Sequence, residues 1–435
     1  MTALEAPPAE LSVVAGELDA PPAATPPAAL YVHVPFCLSV CPYCDFVVLG
    51  GAASRGPRSL VAPFLSALHA ELGLRADALD ARWGAPGMPG RPPLETVYLG
   101  GGTPSLLPAS AVAEVLAAVR DRFGLAADAE ITIEADPAPD ERGDAAALAA
   151  AGVTRMSLGA QSLDAVELRR LGRRHRPEDV TQAVEAARAG GIASLGLDLL
   201  YDVPGQTMAS WDRTLEKALA LRPDHLSLYA LTLDDPDAER LTGPLGDHLP
   251  VSPGARRWRG RASLEQDEDR AAAAYLHATD RLAAAGFRGY EISNWARPGH
   301  ESRHDIAYWT RRPYEAAGPG AHAFDGLVRR WNAARLDGYI AALDPAAGPA
   351  RLPPGGSETL DQPTTVAERI ILGLRLDTGV PLEWADRSPF APVAAWAIAQ
   401  GLAEMVEGLP EGPGDRLRLT VRGRLLSNEV FARIV

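Results

Sequence analysis

At 435 residues with 47% hydrophobic content, the chain can hold a large catalytic domain, a smaller appendage and a substantial core. A formal net charge of −14 argues against a broad nucleic-acid footprint, and no apolar run approaches the roughly 18 residues that a membrane-spanning helix needs. Residues 1–27 lack a basic start followed by an apolar core, and their Ala, Pro and Glu bias reads as a disordered leader rather than a secretory signal. Reduced thiols without an export signal give the cytoplasm as the expected location.

Residues 30–34 alternate and favour β-structure, so they read as a strand delivering Phe36-Cys37-Leu38-Ser39-Val40-Cys41-Pro42-Tyr43-Cys44-Asp45-Phe46. All three cysteines of the chain stand here as C-x3-C-x2-C. An odd number of thiols this close together makes a poor disulfide framework and suits a soft metal centre. Zinc would need a fourth ligand, from Asp45, His33 or a distant histidine. A four-iron cluster held by three thiolates would keep one iron open for a substrate.

Val61, Phe64, Leu65, Leu68 and Leu72 fall at helical spacing, and a Gly/Pro-rich connection over 84–93 leads to a strand at 96–99. That strand runs into Gly100-Gly101-Gly102-Thr103-Pro104-Ser105, which has neither the G-x-G-x-x-G nor the Walker spacing. A second helical stripe, Val112, Val115, Leu116, Val119 and Phe123, stops at Gly124; strands follow at 131–134, 155–158, 195–200 and 225–231. Strands recurring with helices between them are βα units and predict a full or partial parallel barrel, with chemistry at the C-terminal strand ends. Polar or glycine-rich residues do cluster there: the cysteines, Gly101 to Thr103, Glu134, Gln161, Asp198 with Tyr201, and Tyr229.

Residues 234–260 read as loop, 263–285 as a polar helix closed by Gly286, and Tyr290-Glu291-Ile292-Ser293-Asn294-Trp295 as extended. The Pro/Gly-rich stretches 345–349 and 353–357 suggest a linker. Thr365 and Glu368 have the form of a capping box before Ile370, Ile371 and Leu374. A helix over 392–406, a short strand alternating Leu417, Leu419 and Val421 with arginines, and a last helix from Asn428 suggest a small winged-helix-like α+β domain. Arg416, Arg418, Arg422 and Arg424 are expected to be a solvated strand face rather than a nucleic-acid surface.

The cysteine spacing, with Tyr31-Val32-His33-Val34-Pro35-Phe36 before it and Pro42-Tyr43-Cys44-Asp45-Phe46 after it, resembles the cluster motif of radical S-adenosylmethionine (SAM) enzymes. Within them it is similar to the oxygen-independent coproporphyrinogen III oxidases and their relatives, the haem chaperones of the HemW branch. The resemblance spans the chain from Tyr31 to the C-terminal domain. It implies an α/β fold, a partial parallel (β/α)6-type TIM-like barrel with a small C-terminal winged-helix-like α+β domain. The expected division is a leader at 1–27, a radical SAM barrel at 28–260, an extension with histidine-bearing segments at 261–345, and the C-terminal domain at 360–435.

The resemblance further implies a [4Fe-4S] cluster on Cys37, Cys41 and Cys44. SAM would be held by Tyr31, Gly101, Gly102, Thr103, Glu134, Gln161, Arg173, Asp198 and Ala230. Taken without it, the glycines are a tight βα turn and Arg173 a surface charge, whereas Asp198 inside an apolar run stands out because an unpaired buried carboxylate is costly. His300, His304 and His322, each alone, read as packed or exposed histidines. The segments around the last two are similar to His-Asn-x-x-Tyr-Trp and Gly-Pro-Gly-Ala-His stretches of the HemW branch, with Asp305 in place of the asparagine, so His304 and His322 are the haem-ligand candidates. Phe46 stands where the oxidases compared carry a further cysteine, which favours a haem-carrying chaperone over a decarboxylating oxidase.

In both branches reduction of SAM would give a 5′-deoxyadenosyl radical, with the protein binding, orienting and shielding. No residue is singled out as catalytic. The implied partners are haem as cargo, client haemoproteins and an electron donor such as flavodoxin or ferredoxin, with no nucleic acid and with any peripheral membrane contact made through clients. The oxidase, and a zinc-stabilised binding protein without radical chemistry, are the alternatives.

Overall fold

The computed structural model describes residues 18–407 and 414–435. Strand β1 (Ala29–Val34) leads through the cysteine loop to α1 (Val61–Trp83), and β2 (Leu94–Gly101) to α2 (Ala109–Phe123). The alternation continues with β3 (Leu125–Ala135), α3 (Ala145–Ala151), β4 (Arg155–Gln161), α4 (Ala165–Arg170) and α5 (Pro177–Ala189). It closes with β5 (Ser194–Tyr201), α6 (Met208–Ala220) and β6 (His225–Ala230). β1 to β6 pair in parallel and in sequence order, the expected partial barrel.

Period-two alternation explains why the strands curl this way. Leu30, Val32 and Val34, Val97 and Leu99, Ile131 and Ile133, Met156 and Leu158, and Leu195, Leu197 and Leu199 lie in one core with Phe64, Leu68, Val115 and Leu116 of the covering helices. The residues between them are polar: Tyr31 and His33, Tyr98, Glu134, Ser157, Asp198, Ser227 and Tyr229. They face one another across the concave side, where Tyr98 Oη donates to Glu134 (2.9 Å) and Ser157 Oγ to Asp198 (3.0 Å).

The remaining chain enlarges the sheet to twelve strands. Helices α7 (Pro253–Ala262) and α8 (Glu268–Ala284) lead to β7 (Arg288–Gly289) and β8 (Asn294–Ala296), which extend the β6 edge antiparallel. Helix α9 (Arg303–Trp309) crosses to the other edge, where β9 (Tyr314–Ala317) pairs with β1 in parallel and β10 (His322–Phe324) and β11 (Val328–Asn332) turn back. After α10 (Leu336–Leu343), β12 (Gly355–Thr359) ends the sheet. A second core joins α11 (Gln362–Arg375), β13 (Val380–Pro381), α12 (Phe390–Ala399), β14 (Ala403–Val406), β15 (Arg416–Leu419) and α14 (Ser427–Phe431) around a small antiparallel sheet, while α13 (Val421–Leu425) packs its Leu425 on the barrel core. No helix among the described residues is long and apolar enough to cross a membrane.

Several expectations are corrected. The 234–260 loop contains α7, opened by Ser252 Oγ accepting from Ala255 N, and the polar helix begins at Glu268, where Asp267 caps it. Residues 355–357, read as linker, pair with β11. Asp361 caps α11, so Thr365 sits buried in its second turn and Glu368 serves ion pairs with Arg311 and Arg329 instead of a capping box. The helix expected over 392–406 stops at Ala399, because Gly401 takes a left-handed φ of 66° and turns the chain into β14. Arg416 is buried rather than solvated, donating to the carbonyls of Thr378 and Gly379 at 2.7 Å. Of the expected leader, residues 1–17 lie outside the described residues, while Leu18 is fully buried in the C-terminal core and Arg369 donates to the carbonyls of Leu18 and Ala20.

Candidate functional site

The cysteine loop leaves β1 at its C-terminal end and is held from three sides. From β2, Gly102 N donates to Val34 O (2.9 Å) and Thr103 N to Phe36 O (2.7 Å), while Thr103 Oγ1 reaches Cys37 Sγ at 3.4 Å. From the β3 end, Glu141 accepts from Leu38 N at 3.2 Å. From α7, the buried Arg259 donates to the carbonyls of Pro42 (3.1 Å), Tyr43 (3.1 Å) and Cys44 (2.9 Å). The glycines are required by close approach. A Cβ on Gly101, at φ 107°, would lie 2.3 Å from the His33 ring, and one on Gly102 would lie 2.6 Å from Phe36 O.

Arg173 ties the loop to the strand ends. Its guanidinium donates to Asp136 Oδ2 (2.6 Å) and Gly159 O (2.8 Å) and reaches Cys41 Sγ at 3.6 Å. Burial opposes ionisation of Asp136, but Arg173 and His175 outweigh it and hold the carboxyl down to about 2. Glu134 accepts from Tyr98 Oη and Gly101 N (2.8 Å); burial nevertheless pushes its carboxyl up to about 7. Burial likewise raises Asp198, against the hydrogen bonds of Ser227 and Ser157. Tyr31 stacks on Tyr98 with ring centres 6.1 Å apart. Gln161 ends β4 at a left-handed φ of 62°, beside Gly159 and Arg173, and Ala230 ends β6 opposite Tyr201. The residues expected to hold SAM thus lie along the concave face and C-terminal ends of β1 to β6.

The donor set suits a cluster. Three thiols share one short loop, and polar donors reach two of the sulfurs. Burial pushes the Cys37 thiol up to about 12 despite the Thr103 hydrogen bond, so a thiolate there would need the positive charge of a bound metal. Glu134, Asp198 and Gln161 offer polar contacts along the same face to a small zwitterionic ligand such as SAM.

A cavity of about 450 Å³ opens beside the loop, lined among others by Tyr31, Phe46, Arg311, His322, His248 and Glu368. Phe46 is 63% exposed at its edge. His322 lines this cavity, but His304 does not. His304 is buried at the opposite end of the barrel, with Nδ1 on Thr96 Oγ1 (2.7 Å) and Nε2 on Tyr308 Oη (2.8 Å). The helix carrying it starts there, with His304 N donating to Glu130 (3.1 Å), and its last residues, Tyr308 and Trp309, reach the cavity wall. Both ring nitrogens are therefore engaged, and burial lowers the imidazole to about 3.

Sequence reasoning missed Asp136, His175, Arg259, Asp247 and His248. Asp136 lies only two residues past Glu134, and the rule about strand ends could have found it. Arg259 and His248 lie in a stretch read as loop, and no local signal marks them.

Residues 88–218 match the Radical SAM superfamily, which with the barrel and the cysteine loop defines the class of protein. The Escherichia coli coproporphyrinogen III oxidase HemN, described as a radical SAM enzyme, shares the fold at a TM-score of 0.75 and 22% identity, covering 96% of this chain and 92% of that one. Heme chaperone HemW of Mycobacterium tuberculosis (strain CDC 1551 / Oshkosh) is 39% identical over 94% of this chain and 95% of its own length. Heme chaperone HemW of Synechocystis sp. is 36% identical over 83% and 80%, respectively. The chain belongs to the HemW family.

Proposed function

We propose that this chain is a haem chaperone: it holds a [4Fe-4S] cluster on Cys37, Cys41 and Cys44, binds SAM along the strand rim and passes haem to client haemoproteins. The observation carrying this reading is the near full-length similarity to heme chaperone HemW. The exposed Phe46, where the resemblance to the oxidases would lead one to expect a further cysteine, favours it over the oxidase. When bound, cluster and SAM supply reductive cleavage of a sulfonium carbon–sulfur bond. This chain's own residues do the rest. Thr103 and Arg173 hydrogen-bond the sulfurs, Arg259 fixes the loop backbone, the glycine turn admits a small ligand, and Glu134, Gln161 and Asp198 orient it. An electron donor such as flavodoxin or ferredoxin, a cytoplasmic location and membrane contact made through clients complete the proposal.

Anaerobically purified protein is expected to be brown with about four irons per chain, and Cys41→Ala to lose them. One zinc in a colourless protein would overturn the cluster. With SAM and a reductant, coproporphyrinogen III should remain unconverted while haem binds. Release of carbon dioxide would instead establish the oxidase reading.

A further inference from the structure

We infer, resting on the haem-carrier reading above, that haem is seated in the cavity beside the cysteine loop, its iron bound at His248 and His322 and its propionates met by Arg311 and Trp309. The cavity, at about 450 Å³, has the size of a small-molecule site. Two of its histidines share one carboxylate. Asp247 accepts from both, from His248 Nδ1 at 3.0 Å and from His322 Nε2 at 2.8 Å. A carboxylate that takes the proton-bearing nitrogen of each ring leaves His248 Nε2 and His322 Nδ1 as lone-pair donors, the device by which proteins orient a ligating imidazole. His322 is further fixed by stacking on Trp331, whose indole N–H donates to Leu245 O (3.1 Å) and so ties the 245–248 turn to β11.

The walls suit a flat aromatic ring, since Phe46, Tyr314 and Phe324 all line the space. At the far side two buried donors lack any acceptor, Arg311 Nη2 and Trp309 Nε1. The Arg311 side chain is only 10% exposed, and its residue is held at a left-handed φ of 58°. Glu368 takes the Nε edge of that guanidinium at 3.0 Å and also pairs with Arg329, which leaves Nη2 for something else. A buried donor without a partner costs about 1–3 kcal/mol, and a propionate carboxylate would satisfy it. Two further histidines are ruled out. His33 also lines the cavity, but its nitrogens are engaged by Tyr31 Oη (3.1 Å) and Val47 O (2.8 Å). His304 behind the wall is engaged by Thr96 and Tyr308, so iron ligation falls to His248 and His322.

The test is titration of cluster-loaded full-length protein with haem, followed by absorbance and paramagnetic resonance. Wild type should bind stoichiometrically. His322→Ala and His248→Ala should each weaken binding about tenfold or more and shift the Soret band, with added imidazole moving the band back. Arg311→Gln should weaken binding about fivefold with the band unmoved, and His277→Ala on α8 should behave as wild type. If the alanine variants fail to fold, Asp247→Asn tests the same group, with a Soret shift expected. Wild-type binding that the histidine, Asp247 and Arg311 variants leave unchanged would overturn the seat and leave the chaperone reading standing; no haem binding by wild type would end both.

Discussion

Asp305 occupies the position where the resembled branch carries asparagine, and its surroundings show what the exchange costs. Burial pushes its carboxyl up to about 7, Arg155 opposes the shift, Glu130 and Glu291 add to it, and Ser302 hydrogen-bonds the charged form. A carboxyl whose folded-state affinity for its proton exceeds the unfolded one loses stability as pH rises, here from about 4 to about 7. Asp305→Asn is therefore expected to flatten that fall and to gain on the order of 1–3 kcal/mol at pH 8 in urea unfolding. Glu134, raised to about 7 by the same burial, should leave a residual slope in the variant. Asp198 was legible as unusual because the residues beside it are leucines, and its solution, two serines from the flanking strands, required knowing which strands flank it.

At the scale of elements, the cysteine loop depends on α7, a helix that sequence reasoning read as coil. Arg259 donates to three consecutive loop carbonyls, which only a planar, forked cation can do at once. Arg259→Lys and Arg259→Ala should both speed amide exchange over residues 37–46. The alanine variant is expected to lose about 2–4 kcal/mol, to load iron poorly and to keep the barrel's circular dichroism. Unchanged exchange in that loop would show the clamp to be dispensable. The β1 to β6 strands were readable because each alternates a helix-covered apolar face with a polar one. The α7 helix was not, because its Pro253-Gly254 start and arginine-rich body carry no apolar stripe. Likewise β12 escaped notice because two of its five residues are glycines, accommodated against Trp331.

Across the whole molecule, the N-terminal stretch and the C-terminal domain are one structure. Leu18 is buried among Val366, Ile370, Trp384 and Phe390, a contact spanning most of the chain. Leu18→Ala is expected to cost about 2–4 kcal/mol in thermal or denaturant unfolding, as for other buried leucines, whereas an exposed leader would show no effect. The same closure sets the cavity, whose walls come from the cysteine loop, the 245–248 turn, α9 to β11 and α11.

The cysteine spacing, the βα alternation and the polar rim were determined by the sequence itself, because metal ligation and strand periodicity are written in local order. Which histidine could meet a ligand was decided only by tertiary structure. His304 and His322 sit in equally suggestive motifs, but α9 buries the first, where Thr96 and Tyr308 occupy both its nitrogens. The β9–β10 turn sets the second beside Asp247, 75 residues away in sequence and 2.8 Å away in space. Hydrogen bonds between residues so far apart depend on how the strands close, and no local pattern encodes that.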